Sequence, residues 1–460
     1  MKMAVSEIAK AINADETYLN EEQLAVEVTG TNFDSRNIEA GDLFVPLQGA
    51  HDGHDYIASA IANGAHATLW SKERVDFRPQ DLPVLVVDDP LTAYQQLSQY
   101  YLTKINPRVV AVTGSNGKTT TKDMIAAILS QDFNVTKTYD NFNNEIGVPY
   151  TILQMEANTE FLVIELGMDR PGQLDFLSKL VQPDVAVITM IGEAHIEFFG
   201  TRDKIADAKM EITHGLKEDG FFVYNGDEPL LRERATTVEM EQRTFGRQVE
   251  DDLYATEVVD GRFETDFKVN DDPTIEFKIP LIGDYNVDNA LAAIEVGHIF
   301  QIPDRVTQGA LEHFAITKNR TEWLSGNKGE AILSDVYNSN PTAAKEVLAA
   351  FSKTQTEGRH IAVLGDMLEL GAQSAKMHAD LADDLDPKQI ETVYLIGTDM
   401  AALRDRLLTK YAPANVHYYT ADQLAQLSAD LQADITANDE VMLKASHGLH
   451  LEKVVADLTK

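Results

Sequence analysis

The residues of greatest chemical interest form a short segment in which glycine, lysine and threonine follow an apolar run. Val109–Val112 is typical of a buried strand, and the apolar spacing after Lys118 is typical of a helix. Gly114 and Gly117 allow consecutive backbone amides to approach phosphate oxygens. Lys118 supplies positive charge, and the hydroxyl of Thr119 is suited to Mg²⁺. We therefore predict a nucleoside triphosphate site formed by Thr113, Gly114, Ser115, Asn116, Gly117, Lys118, Thr119 and Thr120.

This segment departs from the general phosphate-loop pattern at one position. The pattern G-x-x-x-x-G-K-[ST] places glycine where this chain has Val112, so the loop is a variant that begins at Thr113. The alternative is an ordinary strand-to-helix turn that contains Gly-Lys-Thr by chance. The strand pattern before the segment and the helical pattern after it favour the phosphate loop.

Polar residues also follow two strands that the sequence predicts further along the chain. Glu165 comes directly after the apolar run Phe161–Ile164, and His195 follows the run Val185–Ile191 after a short turn. Ligands of open parallel sheets bind beyond the carboxyl ends of the strands, so both side chains are candidates for Mg²⁺ binding. The alternatives are a structural, hydrogen-bonded histidine and a solvated loop carboxylate.

Composition narrows the classes of function. The chain has 460 residues, with 74 acidic against 39 basic side chains, a formal charge of −35 and no cysteine. This charge disfavours binding to nucleic acid or to an anionic membrane. The absence of cysteine excludes disulfides, thiolate metal sites and a cysteine nucleophile. No apolar run reaches the ~18 residues that span a bilayer, and we expect a cytoplasmic protein.

The order of elements predicts an α/β fold of three domains. A small N-terminal α/β domain is expected at residues 1–84, and a helix over about 91–103 leads out of it. A central domain of the P-loop type, with a mostly parallel sheet and an antiparallel patch at 251–280, is expected at 85–314. A doubly wound, Rossmann-like domain is expected at 315–460.

Several motifs together resemble those of the Mur ligases, ATP-dependent enzymes that add amino acids to the peptidoglycan precursor. The resemblance runs over nearly the whole chain and includes the phosphate loop. Motifs of the central domain that carry it are Asn143–Pro149, Glu165–Met168, Ala194–Gly200, Ala206–Ile212 and Gly283–Ala293.

The resemblance implies roles for individual residues. Lys118, His195 and Lys209 become the catalytic candidates, with Lys209 carbamylated so that a cation becomes an anion able to ligate Mg²⁺. The metal set would be Thr119, Glu165, His195 and the Lys209 carbamate. Asn289 is expected to contact adenine, and Arg320 and Asp335 are expected to reach the nucleotide. The residues themselves leave two alternatives open: an exposed, ion-paired Lys209 and a helix-capping Asn289.

Motifs of the outer domains indicate the branch of the family. Asp335–Pro341 and Leu364–Gly371 resemble the segments of the members that add the dipeptide D-alanyl-D-alanine, with Asn338 and Asn340 as dipeptide-binding candidates. Phe33–Arg36 resembles the motif for the uridine nucleotide substrate. The candidates there are Asp34, Ser35 and Arg36, and the alternative is a surface salt bridge. Where the family has Lys-Gly-Ser-Arg, this chain has Lys444-Ala445-Ser446-His447, which leaves the role of His447 open.

The implied reaction is ligation of UDP-N-acetylmuramoyl-tripeptide to D-alanyl-D-alanine through an acyl phosphate, with ATP and Mg²⁺. A monomer that binds neither nucleic acid nor membrane is expected. Two alternatives stay open: a sister Mur or folylpolyglutamate-type ligase that adds a single amino acid, and a P-loop nucleotide switch. The third residue of the tripeptide (lysine or diaminopimelate) and the last residue of the acceptor (D-alanine, D-lactate or D-serine) are also open.

Overall fold

The computed structural model describes residues 1–459, and its N-terminal part is a small α/β unit. A parallel sheet has the order β3-β4-β5-β6, and β1 and β2 form a separate antiparallel pair. Short 3₁₀ turns cover Glu16–Tyr18, Gly53–Tyr56 and Lys72–Phe77. The strands and helices are β1 Met3–Ala4, α1 Val5–Ala11, α2 Glu21–Leu24, β2 Glu27–Val28, β3 Gly30–Asn32, β4 Asp42–Phe44, α3 Ile57–Ala62, β5 Ala67–Ser71 and β6 Val84–Val87.

A single helix, α4 Pro90–Ile105, connects this unit to the next. Its start is fixed by Asp89, whose carboxylate accepts a hydrogen bond from the backbone amide of Thr92, and by Pro90 in the first turn. Tyr94, Leu97 and Tyr101 are buried on one face, as their spacing predicts.

The central unit carries a long, mostly parallel sheet with helices on both faces. Its strands are β7 Arg108–Thr113, β8 Val135–Lys137, β9 Phe161–Glu165, β10 Val185–Ile188, β11 Phe221–Asn225, β12 Glu241–Gly246, β13 Leu253–Asp260, β14 Thr265–Val269 and β15 Phe277–Ile279. Its helices are α5 Lys118–Leu129, α6 Gly147–Leu153, α7 Gln173–Val181, α8 Ile196–Phe199, α9 Arg202–Met210, α10 Pro229–Ala235, α11 Asp284–Ile299 and α12 Asp304–Glu312, with a 3₁₀ turn at Glu211–Gly215.

The strand order β15-β14-β13-β12-β11-β10-β7-β9-β8 places β7 between β10 and β9. Residues Val109–Val112 of β7 are buried on both faces of the sheet, which explains the continuous apolar run. Because β9, β7 and β10 are parallel, the residues that follow them meet at one edge. The predicted antiparallel patch corresponds to β13, β14 and β15, although β13 is parallel to β12.

The C-terminal unit has the sheet order β16-β17-β21-β18-β19-β20, parallel except for the edge strand β16. Helices cover both faces, so the predicted doubly wound architecture is confirmed. Its strands are β16 Glu322–Ser325, β17 Ala331–Asp335, β18 His360–Gly365, β19 Thr392–Ile396, β20 Val416–Tyr419 and β21 Glu440–Lys444. Its helices are α13 Pro341–Phe351, α14 Ser374–Asp380, α15 Met400–Leu407, α16 Leu424–Asp434 and α17 Glu452–Leu458. Its 3₁₀ turns are Gly371–Gln373, Leu381–Asp384, Pro413–Asn415, Ala421–Gln423 and His447–Leu449.

The three-domain α/β class is confirmed, and the domain limits stay proposals. The limit after residue 84 falls at the first residue of β6, which pairs with β5, so we propose an end of the first domain after Val87. The limit after residue 314 lies between α12 and β16. Within residues 1–459, no helix combines the length and apolar character needed to cross a membrane.

Candidate active site

A cleft of about 390 Å³ opens where the carboxyl ends of the central strands face the C-terminal unit. It brings together residues from both units that are far apart in sequence. The predicted site residues that line it are Ser115, Asn116, Gly117, Lys118, Thr119, Thr120, Glu165, His195, Lys209, Asn289, Arg320, Asp335 and Asn338.

The phosphate loop presents the free N-terminus of α5 to this cleft. Gly117 precedes the helix with a φ of 80°, a left-handed conformation that glycine adopts without strain. In the described residues, no side chain caps the helix, so its first amides are available to an anion. Thr113 lies beneath the loop, where its hydroxyl donates to the carbonyl of Leu166 at 2.8 Å.

Lys118 folds over this loop and donates to the carbonyl oxygen of Gly114 at 3.0 Å. Burial lowers the pKa of its amine, the carboxylate of Glu165 opposes the shift, and the guanidinium of Arg320 adds to it. Phosphate groups would favour the charged form, because a nearby anion stabilises the ammonium.

Thr119 and Glu165 meet at the edge of the sheet. The hydroxyl of Thr119 donates to Oε2 of Glu165 at 2.8 Å, and the side-chain amide of Asn143 donates to Oε1 at 2.8 Å. Glu165 is buried as the last residue of β9, so the solvated-loop alternative is wrong. A hydroxyl beside a carboxylate fits Mg²⁺, which binds one or two carboxylates together with substrate phosphates. Over residues 1–459, no group of three or more His, Asp or Glu side chains forms a metal cluster by itself.

Lys209 lies in the last turn of α9 and is only 3% exposed. Over the described part of the chain its amine has neither an ion-pair partner nor a hydrogen bond, so the exposed, ion-paired alternative is wrong. Burial holds the pKa of this amine well below its ordinary value; the charge of Lys118 adds to the shift and that of Glu165 opposes it. Burial therefore shifts the equilibrium toward the neutral amine, which is the form that reacts with carbon dioxide.

His195 has a left-handed backbone with a φ of 64° and borders the cleft. Its Nδ1 lies 2.5 Å from Oε2 of Glu369, a residue of the C-terminal unit. Burial lowers the pKa of the imidazole, the carboxylate of Glu369 opposes that shift, and Lys118 adds to it. The imidazole therefore forms a hydrogen bond, as expected for a structural histidine, but only through Nδ1.

Asn289 lies in the second turn of α11, so the helix-cap alternative is wrong. Its Oδ1 accepts a hydrogen bond from the hydroxyl of Thr121 at 3.2 Å, and its Nδ2 donates to Asn286. A side chain at Gly117 would overlap its carboxamide. The residue therefore packs under the phosphate loop, and its contact with adenine stays a prediction.

Arg320 reaches the phosphate loop from the C-terminal side of the cleft. Its Nη2 donates to the hydroxyl of Thr119 at 3.3 Å, and its guanidinium lies 3.7 Å from the ring centroid of Tyr337. Its buried Nε has no hydrogen-bond partner in residues 1–459. Nearby, Asp335 forms an ion pair of 2.5 Å with Lys444, which also donates to the carbonyl of Asn338 at 3.1 Å.

The two asparagines of the predicted dipeptide site differ in their contacts. Asn338 borders the cleft and accepts from the amide of Ser339. Asn340 caps α13 by accepting from Ala343, and its carboxamide donates to Asn116 of the phosphate loop at 2.7 Å. Asn340 thus joins the two units, and the binding of a dipeptide by either residue stays a prediction.

Asp34, Ser35 and Arg36 lie outside this cleft, on the N-terminal unit. Asp34 and Arg36 form an ion pair of 2.6 Å, as the surface alternative required, and the side chain of Arg36 is 84% exposed. The preceding residue, Phe33, packs edge-on against Phe142. Phe142 belongs to the loop that also contributes Asn141 and Asn143 to the cleft. Through this contact the Phe33–Arg36 motif lies next to the cleft.

Sequence reasoning did not assign functions to Asn143, Tyr337, Glu369 or Lys444. Lys444 ends β21 beside Asp335, so the strand-end rule that indicated Glu165 would also have indicated Lys444. Asn143, Tyr337 and Glu369 lie within motifs that resemble those of the family, but their partners lie in distant segments. No spacing within the motifs reveals those partners.

Family models match the chain in three consecutive segments. The models are "Mur ligase family, catalytic domain" at residues 27–101, "Mur ligase middle domain" at 112–297 and "Mur ligase, glutamate ligase domain" at 319–447.

Curated relatives match over nearly the whole length. The chain is 38% identical to the UDP-N-acetylmuramoyl-tripeptide--D-alanyl-D-alanine ligase of Bacillus subtilis (strain 168), covering 100% of this chain and 98% of the relative. It is 31% identical to the ligase of the same name from Escherichia coli (strain K12), covering 96% of each chain.

Solved structures share the architecture. A crystal structure of MurF from Acinetobacter baumannii matches with a TM-score of 0.86 and 28% identity, covering 100% of this chain and 99% of the other. MurF from Thermotoga maritima in complex with ADP matches with a TM-score of 0.80 and 27% identity, covering 94% and 97%.

Proposed function

The chain belongs to the Mur ligase family, and from that membership we propose that it joins D-alanyl-D-alanine to UDP-N-acetylmuramoyl-tripeptide, with ATP converted to ADP and phosphate. The observation that carries the proposal is the full-length similarity to relatives that bear this name. The cleft supports it, because the phosphate loop, Lys209 and the C-terminal Arg320 and Asn338 line one space. The product would be the pentapeptide precursor of peptidoglycan.

The proposed reaction has two steps that this cleft can hold. The terminal carboxylate of the tripeptide attacks the γ-phosphorus of ATP, forming an acyl phosphate as the bond to ADP breaks. The amine of the dipeptide then attacks the acyl carbon, loses a proton, and expels inorganic phosphate as the amide forms. The amides of α5 and the ammonium of Lys118 hold the phosphates, while Arg320 neutralises charge as it develops.

A divalent cation fits the donors at the sheet edge. Thr119, Glu165, His195 and a carbamate on Lys209 would hold Mg²⁺, which when bound offsets the repulsion between the phosphates and the attacking carboxylate. Glu165 keeps its orientation through Asn143, which donates to its second oxygen. The C-terminal unit covers the opposite side of the cleft and limits access of water to the acyl phosphate.

We propose that the protein acts in the cytoplasm as a monomer. The proposal of a monomer is supported by the phosphate loop, Lys209 and Arg320, which already line one cleft within a single chain. The cytoplasm is where ATP is available. Sedimentation equilibrium over a range of concentrations tests the monomer directly.

The test of function is release of phosphate from ATP with Mg²⁺ and the UDP-tripeptide, compared among D-alanyl-D-alanine, D-alanine and no acceptor. We expect release that depends on the dipeptide. Release with single D-alanine would instead assign a sister ligase activity, and release without an acceptor would assign a nucleotide switch. Parallel reactions with lysine- and diaminopimelate-containing tripeptides identify the third residue.

The N-terminal motif leads to a separate prediction about the uridine substrate. Arg36→Ala is expected to raise KM for the UDP-tripeptide about tenfold, the effect of losing one charged contact, with kcat unchanged. Exposed ion pairs contribute little to stability, so the thermal midpoint should not change. Arg243→Ala is the control for KM, because Arg243 also pairs with an acidic residue two positions earlier and does not line the cleft. Arg243 also contacts the buried Glu295, so this control can lower the thermal midpoint without a change in KM. An unchanged KM in Arg36→Ala would reduce the motif to a surface salt bridge.

A further inference from the structure

One contact joins a candidate cation ligand to the C-terminal unit. Oε2 of Glu369, in the loop after β18, lies 2.5 Å from Nδ1 of His195, and the carbonyl of Glu369 accepts from the amide of Glu197 at 3.0 Å. Both residues have left-handed backbones, with φ of 62° for Glu369 and 64° for His195. Residues with a side chain seldom adopt this conformation, and here two such residues face each other across the junction.

The contact fixes which ring nitrogen carries the proton. A carboxylate only accepts hydrogen bonds, so Nδ1 is the donor and Nε2 retains its lone pair. In the described residues, Nε2 has no hydrogen-bond partner, and the imidazole borders the cleft together with Thr119 and Glu165. A neutral imidazole with a free nitrogen is the form that ligates a metal ion, and a carboxylate on the other nitrogen commonly orients such a ligand.

We propose that Glu369 is a positioning residue that orients His195 as a cation ligand, so that docking of the C-terminal unit completes the cation site. This inference rests on the proposed function, because it takes His195 as a ligand of the cation used in that reaction. It assigns the C-terminal unit a second task beside binding of the acceptor. The cation would bind most tightly only when both units stand together, which ties phosphoryl transfer to the closed cleft.

A simpler account is that the contact only holds the two units together. A second contact between the same two units can distinguish these explanations. The hydroxyl of Thr342 donates to Glu193 at 2.7 Å. Glu193 lies two residues before His195, and Thr342 belongs to α13, yet neither contacts a candidate ligand. Loss of this hydrogen bond removes a contact of the same junction and leaves the orientation of the imidazole intact, while the backbone amide of Thr342 still donates to Glu193 at 3.2 Å.

The experiment measures binding of Mn²⁺, a spectroscopic substitute for Mg²⁺, by electron paramagnetic resonance on the full chain with saturating ADP. Glu369→Ala is expected to raise the Kd for Mn²⁺ about 10-fold to 100-fold, the effect typical for loss of an outer partner of a metal-bound histidine. Glu369→Gln should recover much of the affinity, because its amide oxygen still accepts from Nδ1. Thr342→Val should raise the Kd much less than Glu369→Ala does, because it leaves the imidazole oriented.

A double-mutant cycle decides whether Glu369 acts through His195. In the background His195→Ala, the further change Glu369→Ala should have no effect on the Kd, because the group it orients is gone. Unchanged affinity in Glu369→Ala, or an equal loss in Thr342→Val, would overturn the inference. Thermal midpoints establish whether each variant is folded. If Glu369→Ala is not folded, the Kd of Glu369→Gln is compared with that of the unaltered protein instead.

The ligase activity and the positioning role of Glu369 can be tested independently of each other. If the unaltered protein shows no dipeptide-dependent release of phosphate while Glu369→Ala still weakens Mn²⁺ binding, the proposed function fails and the positioning role stands. If the ligase activity is present and Mn²⁺ affinity does not depend on Glu369, only the positioning role fails.

Discussion

Replacement of Lys118 by methionine is expected to lower kcat/KM for ATP by about 1,000-fold, at the upper end of what loss of one electrostatic contact to transferring phosphate costs. The ammonium stands at the N-terminus of α5, over the loop whose amides face the cleft. Methionine preserves much of the length and apolar volume of the lysine stem but removes the charge. Steady-state kinetics with varied ATP and saturating co-substrates measures the effect.

Lys122→Met is the matched control for this prediction. Lys122 lies one turn later on the same helix and is also buried, but its amine bonds to the carbonyl of Thr138 and pairs with Asp123, away from the cleft. We expect this control to lower the thermal midpoint and to leave KM for ATP unchanged. Equal losses of kcat/KM in the two variants would contradict the assignment of Lys118 to the phosphates.

Replacement of Lys209 by arginine is expected to lower kcat by about 100-fold or more, because arginine keeps a cation where the reaction requires an anion. Carbamylation adds carbon dioxide to a neutral amine and releases a proton. Burial lowers the pKa of this amine, so formation of the carbamate should increase as pH rises through that lowered pKa. The change to arginine abolishes carbamylation and retains most of the side-chain volume.

The measurement is ¹³C NMR of the protein in ¹³C-bicarbonate, recorded beside the kinetic assay. A carbamate resonance should be present in the unaltered protein, absent in Lys209→Arg, and retained in Lys204→Arg. Lys204 lies on the same helix, α9, but is exposed, which makes it a matched control for a reactive lysine. Full activity of Lys209→Arg, or no carbamate resonance in the unaltered protein, would exclude a carbamate role.

Features set by local sequence were predictable. The buried strand β7, the glycine before α5 and the start of the helix at Lys118 follow from residue types within a few positions. Glu165 was predictable as a strand-end residue, because β9 and β7 are parallel neighbours and their carboxyl ends meet. Val112 takes the position of the usual loop glycine without difficulty, because it lies buried inside β7 rather than in the loop.

Features that depend on tertiary contacts were not predictable from the residues alone. The burial of Lys209 arises from elements packed around α9, and its spacing was equally consistent with an exposed lysine. The sequence around Asn289 is also consistent with a helix cap, but in the structure its carboxamide forms hydrogen bonds with Thr121 and Asn286 under the loop. The contact between His195 and Glu369 spans 174 positions, and no local pattern specifies it.

The departure from the family pattern at His447 leaves two other basic side chains, Lys444 and Arg320, in place at the cleft. Lys444, which the family pattern shares, keeps its ion pair with Asp335. The His447 ring lies 5.7 Å from the ring of Tyr337, the residue on which Arg320 stacks. The retained lysine and the stacked arginine thus provide fixed positive charge there without an arginine at position 447.

The measurement that tests the central proposal most directly is mass spectrometry of a single reaction with ¹⁸O in the terminal carboxylate of the UDP-tripeptide. We predict a UDP-linked pentapeptide and inorganic phosphate that carries one ¹⁸O from the substrate, because the carboxylate oxygen that attacks ATP leaves with the phosphate. Unlabelled phosphate, or a product extended by a single amino acid, would contradict ligation of a dipeptide through an acyl phosphate.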